Sequence, residues 1–314
     1  MCNCWKEKSD YLNSSEIIAA VGELKSWLGN TFIVHIAGGE SLIFDGIYDI
    51  FSFCAANGIV CKVSTNGMNL TENTCDKLIR SQLHFLSVSL DSHLADIHDR
   101  FRGMKGTLER SLKGIDYLAE HSTIKLGISS IIMRDNVSTL CDSVDFFLTL
   151  PISRLLFQPI RVWTENATVD KWRQYRYWVN DIDALTRFSK HLLMKKQGDA
   201  RIFNTEKDVK EWIAYFTDPT ALVEENEKRC TLGYDRLSIN YKGEIYLGCE
   251  FYSSIGNIKR DNLRDAWHSP EARKVRKQMR QCELPCTNNC YKELTLLEKI
   301  DRARIIMNGG LARK

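Results

Sequence analysis

Between residues 30 and 160 short apolar runs alternate with longer helical patterns, and this alternation constrains the fold more than any other feature of the sequence. The strand candidates are TFIVHIA (31–37), GIVCKVS (58–64), HFLSVSL (84–90), TIKLGISSIIM (123–133) and RLLFQPI (154–160). They are rich in β-branched and apolar residues and lack a clean solvent face, as strands covered on both sides do. In the gap after Gly106, residues Leu108, Leu112, Ile115 and Leu118 recur every three or four positions. That spacing gives a helix one apolar face that can lie on a sheet. Right-handed crossovers then make an α/β fold with a mainly parallel sheet or part of a barrel, and place ligands at the carboxyl ends of the strands.

The residues that follow each strand are polar and small. Gly38-Gly39-Glu40-Ser41 follows the first run and Thr65-Asn66-Gly67 the second. SVSLDS puts Ser87, Ser89 and Asp91 on one side by the two-residue period of a strand. The fourth run leads into Arg134-Asp135-Asn136, and the fifth carries Gln158-Pro159. Each alone reads equally well as turn punctuation, but together they define one polar rim.

Residues 163–226 change character, with Trp163, Trp172, Tyr175, Tyr177, Trp178, Trp212, Tyr215 and Phe216 scattered through helical, charged sequence. Two readings stand: amphipathic helices that cover the core, or an aromatic wall for a substrate.

The 314 residues carry 43 Lys and Arg against 40 Asp and Glu, and the net charge of +3 makes no broad electrostatic case for nucleic acid or an anionic membrane. No apolar run approaches the roughly 20 residues of a membrane span, and MCNCWKEKSD lacks the apolar segment of a secretory signal, so the cytoplasm is the expected compartment. There, 11 cysteines argue for metal ligands, buried small hydrophobes or reactive thiols rather than a disulfide framework. Cys54, Cys61, Cys75 and Cys141 lie in apolar segments and read as packing residues. The carboxyl-terminal set is different. LSINYKGEIYLGC (237–249) is a hairpin pattern turning at Lys242-Gly243, with Cys230 before it and Cys249 at its end. A helical stretch holding the basic run EARKVRKQMR (271–280) leads to Cys282-x3-Cys286-x3-Cys290. The run reads as a solvated helix face, or as charge that offsets a thiolate cluster. Zinc and iron–sulfur clusters both accept four thiolates, and spacing leaves the two open.

With these residues in view the chain resembles the radical SAM superfamily. Met1-Cys2-Asn3-Cys4-Trp5-Lys6 looks like the end of that family's Cys-x3-Cys-x2-Cys cluster loop, which implies Cys2 as the third cysteine and Cys4 at a non-ligand position. The resemblance further implies a start inside the motif, with two more cysteines and the first barrel strand expected upstream. Gly38-Gly39-Glu40 is similar to the glycine-rich motif that meets the amino group of S-adenosylmethionine. Ser64 and Asn66, and Ser87 to Asp91, fall where the family implies ribose and adenine contacts, and Arg134 where many members contact the methionine carboxylate. HDRFRGMKGT (98–107) is similar to peptide-modifying and cofactor-maturing members.

The last part of the chain looks like a twitch or shortened SPASM module, on the framework Cys230, Gly243, Cys249, Cys282, Cys286 and Cys290. Gly243 and Cys249 stand one residue further apart than is usual there, and the cysteines suffice for one auxiliary [4Fe-4S] cluster. Cys249, Cys282, Cys286 and Cys290 are the favoured ligands, with Cys230 as the alternative. The implied architecture is a partial (β/α)6 barrel lacking its first strand, followed by a small α+β module. Its divisions would be 1–162 for the core, 163–226 for the helical remainder and bridge, 227–295 for the cluster domain and 296–314 for a terminal helix and tail. The implied activity is generation of a 5'-deoxyadenosyl radical that abstracts hydrogen from a peptide or small-molecule substrate, with flavodoxin or ferredoxin as electron donor. The short start would leave the chain inactive if the upstream cysteines were truly missing. A non-catalytic iron–sulfur or zinc-binding α/β interaction protein is the competing reading. GGES lacks the spaced glycines of a dinucleotide fold, which disfavours a dehydrogenase.

Overall fold

The computed structural model describes residues 11–161, 173–219 and 230–282. The α/β series begins with α1 (Ser14–Leu28) and β1 (Ile33–Ile36), followed by α2 (Ile47–Ala56) and β2 (Val60–Thr65). Next come α3 (Glu72–Arg80), β3 (Phe85–Ser89), α4 (Ala95–Arg102), α5 (Thr107–His121), β4 (Lys125–Ile132), α6 (Leu140–Phe147) and β5 (Arg154–Pro159). Two longer helices, α7 (Ile182–Gly198) and α8 (Glu206–Thr217), close the series. Among the described residues the five strands form one parallel sheet in sequence order, β1-β2-β3-β4-β5, as successive right-handed βα units produce. Each expected strand forms, and β1 pairs only with β2 among the described residues.

One face of this sheet is dry. Cys61, Val63, Leu86, Val88, Ile128, Leu155 and Phe157 point into a core that α2, α3, α5, α6 and α7 cover. Trp178, Trp212, Tyr215 and Phe216 are also buried there, so these four cover the core rather than line an open pocket, while Tyr175 and Tyr177 are half-buried. Trp163 and Trp172 lie outside the described residues. Cys54, Cys61 and Cys75 are wholly buried. The Cys61 thiol is pushed up by its hydrogen bond to Cys54 and by burial, and burial takes Cys75 up to about 11, so these are protonated packing groups.

The alternate residues of the same strands face the other way. The sheet is extended beyond β5 by Ile202, which bridges Leu155 in parallel, and the Asn204 amide clips on by bonding both the N–H and the carbonyl of Phe157 at 2.8 and 2.9 Å.

The carboxyl-terminal part has its own small core. A short helix α9 (Leu232–Asp235) precedes the antiparallel strands β6 (Ser238–Ile239), β7 (Glu244–Tyr246) and β8 (Gly256–Asn257), and α10 (Leu263–His268) and α11 (Pro270–Met279) follow. The turn between β6 and β7 falls at Lys242-Gly243, where Gly243 has φ 84°, and the Asn240 side chain accepts from both Lys242 N–H and Glu244 N–H. Helix α1 serves both cores. Val21 packs under the barrel sheet, while Ala20 and Leu24 pack with Leu247, Leu263 and Val275 of the module. Glu23 Oε1 accepts the Leu263 N–H at the start of α10, and Trp27 meets Trp267 edge-on.

Candidate functional site

The carboxyl rim of β1 and β2 is organised around one carboxylate. Glu40 Oε1 accepts from the Thr65 hydroxyl at 2.7 Å and from Leu42 N–H at 3.1 Å, and Oε2 accepts from Asn66 N–H at 2.7 Å. A carboxylate has roughly four acceptor directions, so one remains for a cationic ligand group. Thr65, at the rim as its place after the second run implied, is buried; it positions Glu40 and, through its hydroxyl, the Gly67 N–H at 3.1 Å. Beside the carboxylate, Gly38 and Gly39 have φ of 101° and 50°, and a Cβ on either would meet no atom within 4 Å. Here glycine answers to backbone conformation, and it leaves bare main chain next to an anion. This arrangement fits the ammonium end of an amino-acid ligand, which supports the S-adenosylmethionine assignment on the residues themselves.

Ser64 and Ser87 face the open side of the sheet in adjacent register. The Ser64 hydroxyl bonds His35 Nε2 at 2.9 Å, and the Ser87 hydroxyl bonds that of Ser129 at 2.9 Å. Asn66 uses its Oδ1 to accept from Met68 N–H at 2.8 Å, which shapes the turn after β2. Arg134 is exposed beyond β4, with its Nε donating to the Trp178 carbonyl at 3.2 Å and its own N–H to the Tyr177 carbonyl at 2.9 Å.

Asp91 differs from expectation. It does not share the open face with Ser87, because β3 ends at Ser89 and the two-residue alternation ends with it. Asp91 is completely buried, its carboxylate paired with Arg102 at 2.6 Å and accepting Ile131 N–H at 3.0 Å. Asn136 ties the same corner, donating to the Asp91 and Ile131 carbonyls at 2.6 and 2.8 Å. Asp91 is therefore a brace behind the rim rather than a contact surface for ribose or adenine.

The open face carries a charge pattern that the strands hid. Register aligns His35 with Lys62, Lys62 with Phe85 and Phe85 with Lys125, and one step on it aligns Ser64, Ser87, Gly127 and Arg154. A Cβ on Gly127 would come within 2.5 Å of the Phe85 ring, so glycine there lets that ring lie over the sheet. His35 keeps solvent contact, but the protein around it desolvates the imidazole. With Lys62, Arg236 and Arg154 adding to that effect, it is held neutral, with its pKa down to about 3.

In the module, Tyr252 gathers the cysteines. Its hydroxyl is hydrogen-bonded to Cys282, with Cys249 and Cys230 in electrostatic reach, and burial together with these thiols pushes the phenol well up. Cys2, Cys286 and Cys290 lie outside the described residues, and among the described residues no three His, Cys, Asp or Glu side chains form a metal site by themselves. A soft, all-thiol donor set around one point fits an iron–sulfur cluster or zinc, and the described cysteines supply part of it.

A parallel five-stranded α/β sheet with a fixed carboxylate at its carboxyl rim is thus joined to a module that carries Cys230, Cys249 and Cys282. Residues 1–147 match the model of the radical SAM superfamily, and residues 230–291 match that of the SPASM iron-sulfur cluster-binding domain. By these two matches the chain carries a radical SAM region and a C-terminal SPASM-type domain. It is 25% identical over 176 residues to the AdoMet-dependent heme synthase of Oleidesulfovibrio alaskensis, covering 52% of this chain and 43% of that one. It is 28% identical over 155 residues to the mycofactocin maturase MftC of Mycolicibacterium smegmatis, covering 47% and 39%. The chain thus spans less than half the length of these curated relatives. Streptococcus suis SuiB bound to S-adenosylmethionine superposes with a TM-score of 0.66 at 17% identity, covering 91% of this chain and 69% of that one. At that identity the likeness shows the fold. No helix among the described residues is long and apolar enough to cross a membrane.

Proposed function

We propose that the chain works as a radical SAM enzyme that modifies a peptide substrate. The observation that carries this reading is the Glu40 rim: a carboxylate fixed by three protein donors, beside two bare glycines, at the carboxyl end of a parallel sheet. Glu40 would accept from the amino group of S-adenosylmethionine, Arg134 would pair with its carboxylate, and Ser64 and Ser87 would face its nucleoside half. Cys2 would be one ligand of the catalytic [4Fe-4S] cluster. Cys249, Cys282, Cys286 and Cys290, with Cys230 as the alternative, would hold an auxiliary one. When bound, these groups supply reductive cleavage of S-adenosylmethionine and hydrogen abstraction from the substrate.

The chain's own residues do the rest. Thr65 and Asn66 hold Glu40 so that its acceptor direction is set before the ligand arrives, which lowers the ordering cost of binding. The inner face of the sheet receives the substrate and limits water access to the reacting end. A peptide substrate is supported by the match to a maturase and by SuiB, which has also been solved with its precursor peptide SuiA. A flavodoxin or ferredoxin would deliver the electron, and the cytoplasm is the compartment proposed.

Anaerobic reconstitution, with iron counting, S-adenosylmethionine binding and a 5'-deoxyadenosine assay, tests the proposal. The reconstituted protein should bind iron and S-adenosylmethionine, and Glu40→Gln should weaken S-adenosylmethionine binding by ten-fold or more. Zinc in place of iron, with no affinity for S-adenosylmethionine, would favour the interaction-protein reading.

A further inference from the structure

The basic run of the module sorts by helical position. In α11, Ala272, Val275 and Met279 are buried in the module core, while Arg273, Arg276, Lys277 and Arg280 follow the i, i+3, i+4, i+7 spacing of one neighbouring face. Like charges at this spacing repel one another. Among the described residues none of these four cations forms an ion pair. Together with Tyr234 of α9 and Trp267 and His268 of α10 they line one cleft of about 670 Å³.

Stacking holds two of the cations in place. The Arg280 guanidinium lies 5.4 Å from the centroid of the Tyr234 ring, and the Arg276 guanidinium lies 5.6 Å from that ring and 4.6 Å from the ring of Trp267. Contacts of this length carry cation–π attraction, and Trp267 is itself backed edge-on by Trp27. Arg276 Nε donates to the Gly233 carbonyl at 2.7 Å. Gly233 permits that approach, because a Cβ there would come within 3.2 Å of the Arg276 Cγ. Arg276 Nη2 is left buried with no hydrogen-bond partner, an unmet demand on a charged group. Arg273 is tied as well, its Nη1 donating to the His268 carbonyl at 2.7 Å. Arginines ordered before a ligand arrives lose less freedom on binding it than the loose side chains of a solvated helix face.

Charge density selects the ligand. A cleft of this size suits a small molecule, and four cationic side chains converge on it. Each carboxylate of a peptide brings one charge on its own side chain, whereas a terminal phosphate alone brings about two charges and three acceptor oxygens. Planar guanidinium forks also match phosphate oxygens two at a time. We propose that this cleft binds a compact polyphosphate, free or carried by a nucleoside, with Arg276 and Arg280 as the forks and Arg273 and Lys277 as flanking charges. Binding there involves neither the Glu40 rim nor S-adenosylmethionine.

The test is isothermal titration calorimetry on the full chain, reconstituted anaerobically, in magnesium-free buffer at low and at moderate salt. Inorganic tripolyphosphate and ATP should bind at least ten-fold tighter than AMP or a hexaglutamate peptide, adenosine should show no binding, and affinity should fall with salt. Tripolyphosphate as tight as ATP identifies the free anion as sufficient, and ATP tighter by ten-fold identifies the nucleoside form. Arg276→Gln with Arg280→Gln should lower the affinity ten-fold or more, and Arg273→Gln with Lys277→Gln several-fold. Tyr234→Leu, which keeps every charge and removes a stacking ring, should also lower it several-fold. Lys242→Gln with Lys259→Gln, in the module but outside the cleft, should change it less than two-fold. Circular dichroism melts check folding, and Arg280→Gln alone, which leaves the Arg276–Gly233 bond in place, guards against a collapsed double variant. No tripolyphosphate binding, equal affinity for AMP or hexaglutamate, or indifference to Arg276 and Arg280 would overturn the proposal. Loss of bound iron in those variants with tripolyphosphate affinity unchanged would also overturn it, in favour of charge that offsets the thiolate cluster. 5'-Deoxyadenosine formation is measured in parallel: polyphosphate binding without cleavage sinks the enzyme reading alone, and cleavage without polyphosphate binding sinks this one alone.

Discussion

Replacing Asp91 separates a brace from a ligand contact. Its carboxylate is 0% exposed and pairs with Arg102, whose side chain is 16% exposed, at 2.6 Å. Asp91→Asn keeps an oxygen for Ile131 N–H, now at 3.0 Å, but turns an amide donor or a neutral oxygen toward the guanidinium. Breaking a buried pair from one side costs about 3–5 kcal/mol, and the small solvent access of Arg102 places this case near 3 kcal/mol. Asp91→Ala also orphans the Ile131 N–H, which adds about 1 kcal/mol. With a urea m-value of about 3 kcal/mol/M, Asp91→Asn should lower the unfolding midpoint by about 1 M. Removing both charges, as Asp91→Ala with Arg102→Met, should cost less than the sum of the single changes, because no charge is left unpaired. The assay is urea unfolding followed by far-ultraviolet circular dichroism, with S-adenosylmethionine retention measured on reconstituted protein that remains folded. An unchanged midpoint together with lost S-adenosylmethionine binding would refute the structural role and return Asp91 to the ligand site.

Other outcomes follow from the same structure. His98 is fully buried, and desolvation holds its pKa at about 4 against an ordinary 6.5, so the unfolded chain binds the extra proton between those values. Stability should be fully present above pH 6.5 and fall by about 3 kcal/mol as the pH drops to 4, and His98→Asn should flatten that slope in pH-dependent urea melts. Gly39→Ala meets no neighbour but must adopt φ 50°, so it should cost about 1 kcal/mol in stability and weaken S-adenosylmethionine binding, read by equilibrium dialysis. Gly67→Ala combines φ 82° with a direct clash on the Ser111 hydroxyl and should cost more than Gly39→Ala in the same melts. Cys249→Ser or Cys282→Ser should cut the iron bound by the reconstituted module while the barrel keeps its circular dichroism signal, and unchanged iron would remove these cysteines from the ligand set.

Much of the barrel was legible because buried parallel strands announce themselves as apolar, β-branched runs, and all five form close to the expected bounds. The β6–β7 hairpin was legible because Lys242-Gly243 is a local signal. Asp91 was misplaced for a definite reason: the two-residue period holds only while the chain stays extended, and β3 ends two residues earlier. Thr65 was placed at the rim, but its role was not legible, because nothing local distinguishes a threonine that positions Glu40 from one that shapes a turn. Lys62, Lys125 and Arg154 were hidden for a different reason. A single charge in a strand reads as a solvent edge, and only cross-strand register shows that they share one face of the sheet.

Helix α1 has a consequence for how such a chain can be rearranged. Its Val21 side belongs to the barrel and its Ala20 and Leu24 side to the module, and Glu23 caps a helix more than two hundred positions away in sequence. A chain cut after α8 would leave that second side wet and Glu23 without its partner. The iron–sulfur module therefore cannot be treated as an interchangeable cassette. A swapped module must bring a surface fitted to α1, and a substitution on α1 is felt at both ends of the protein.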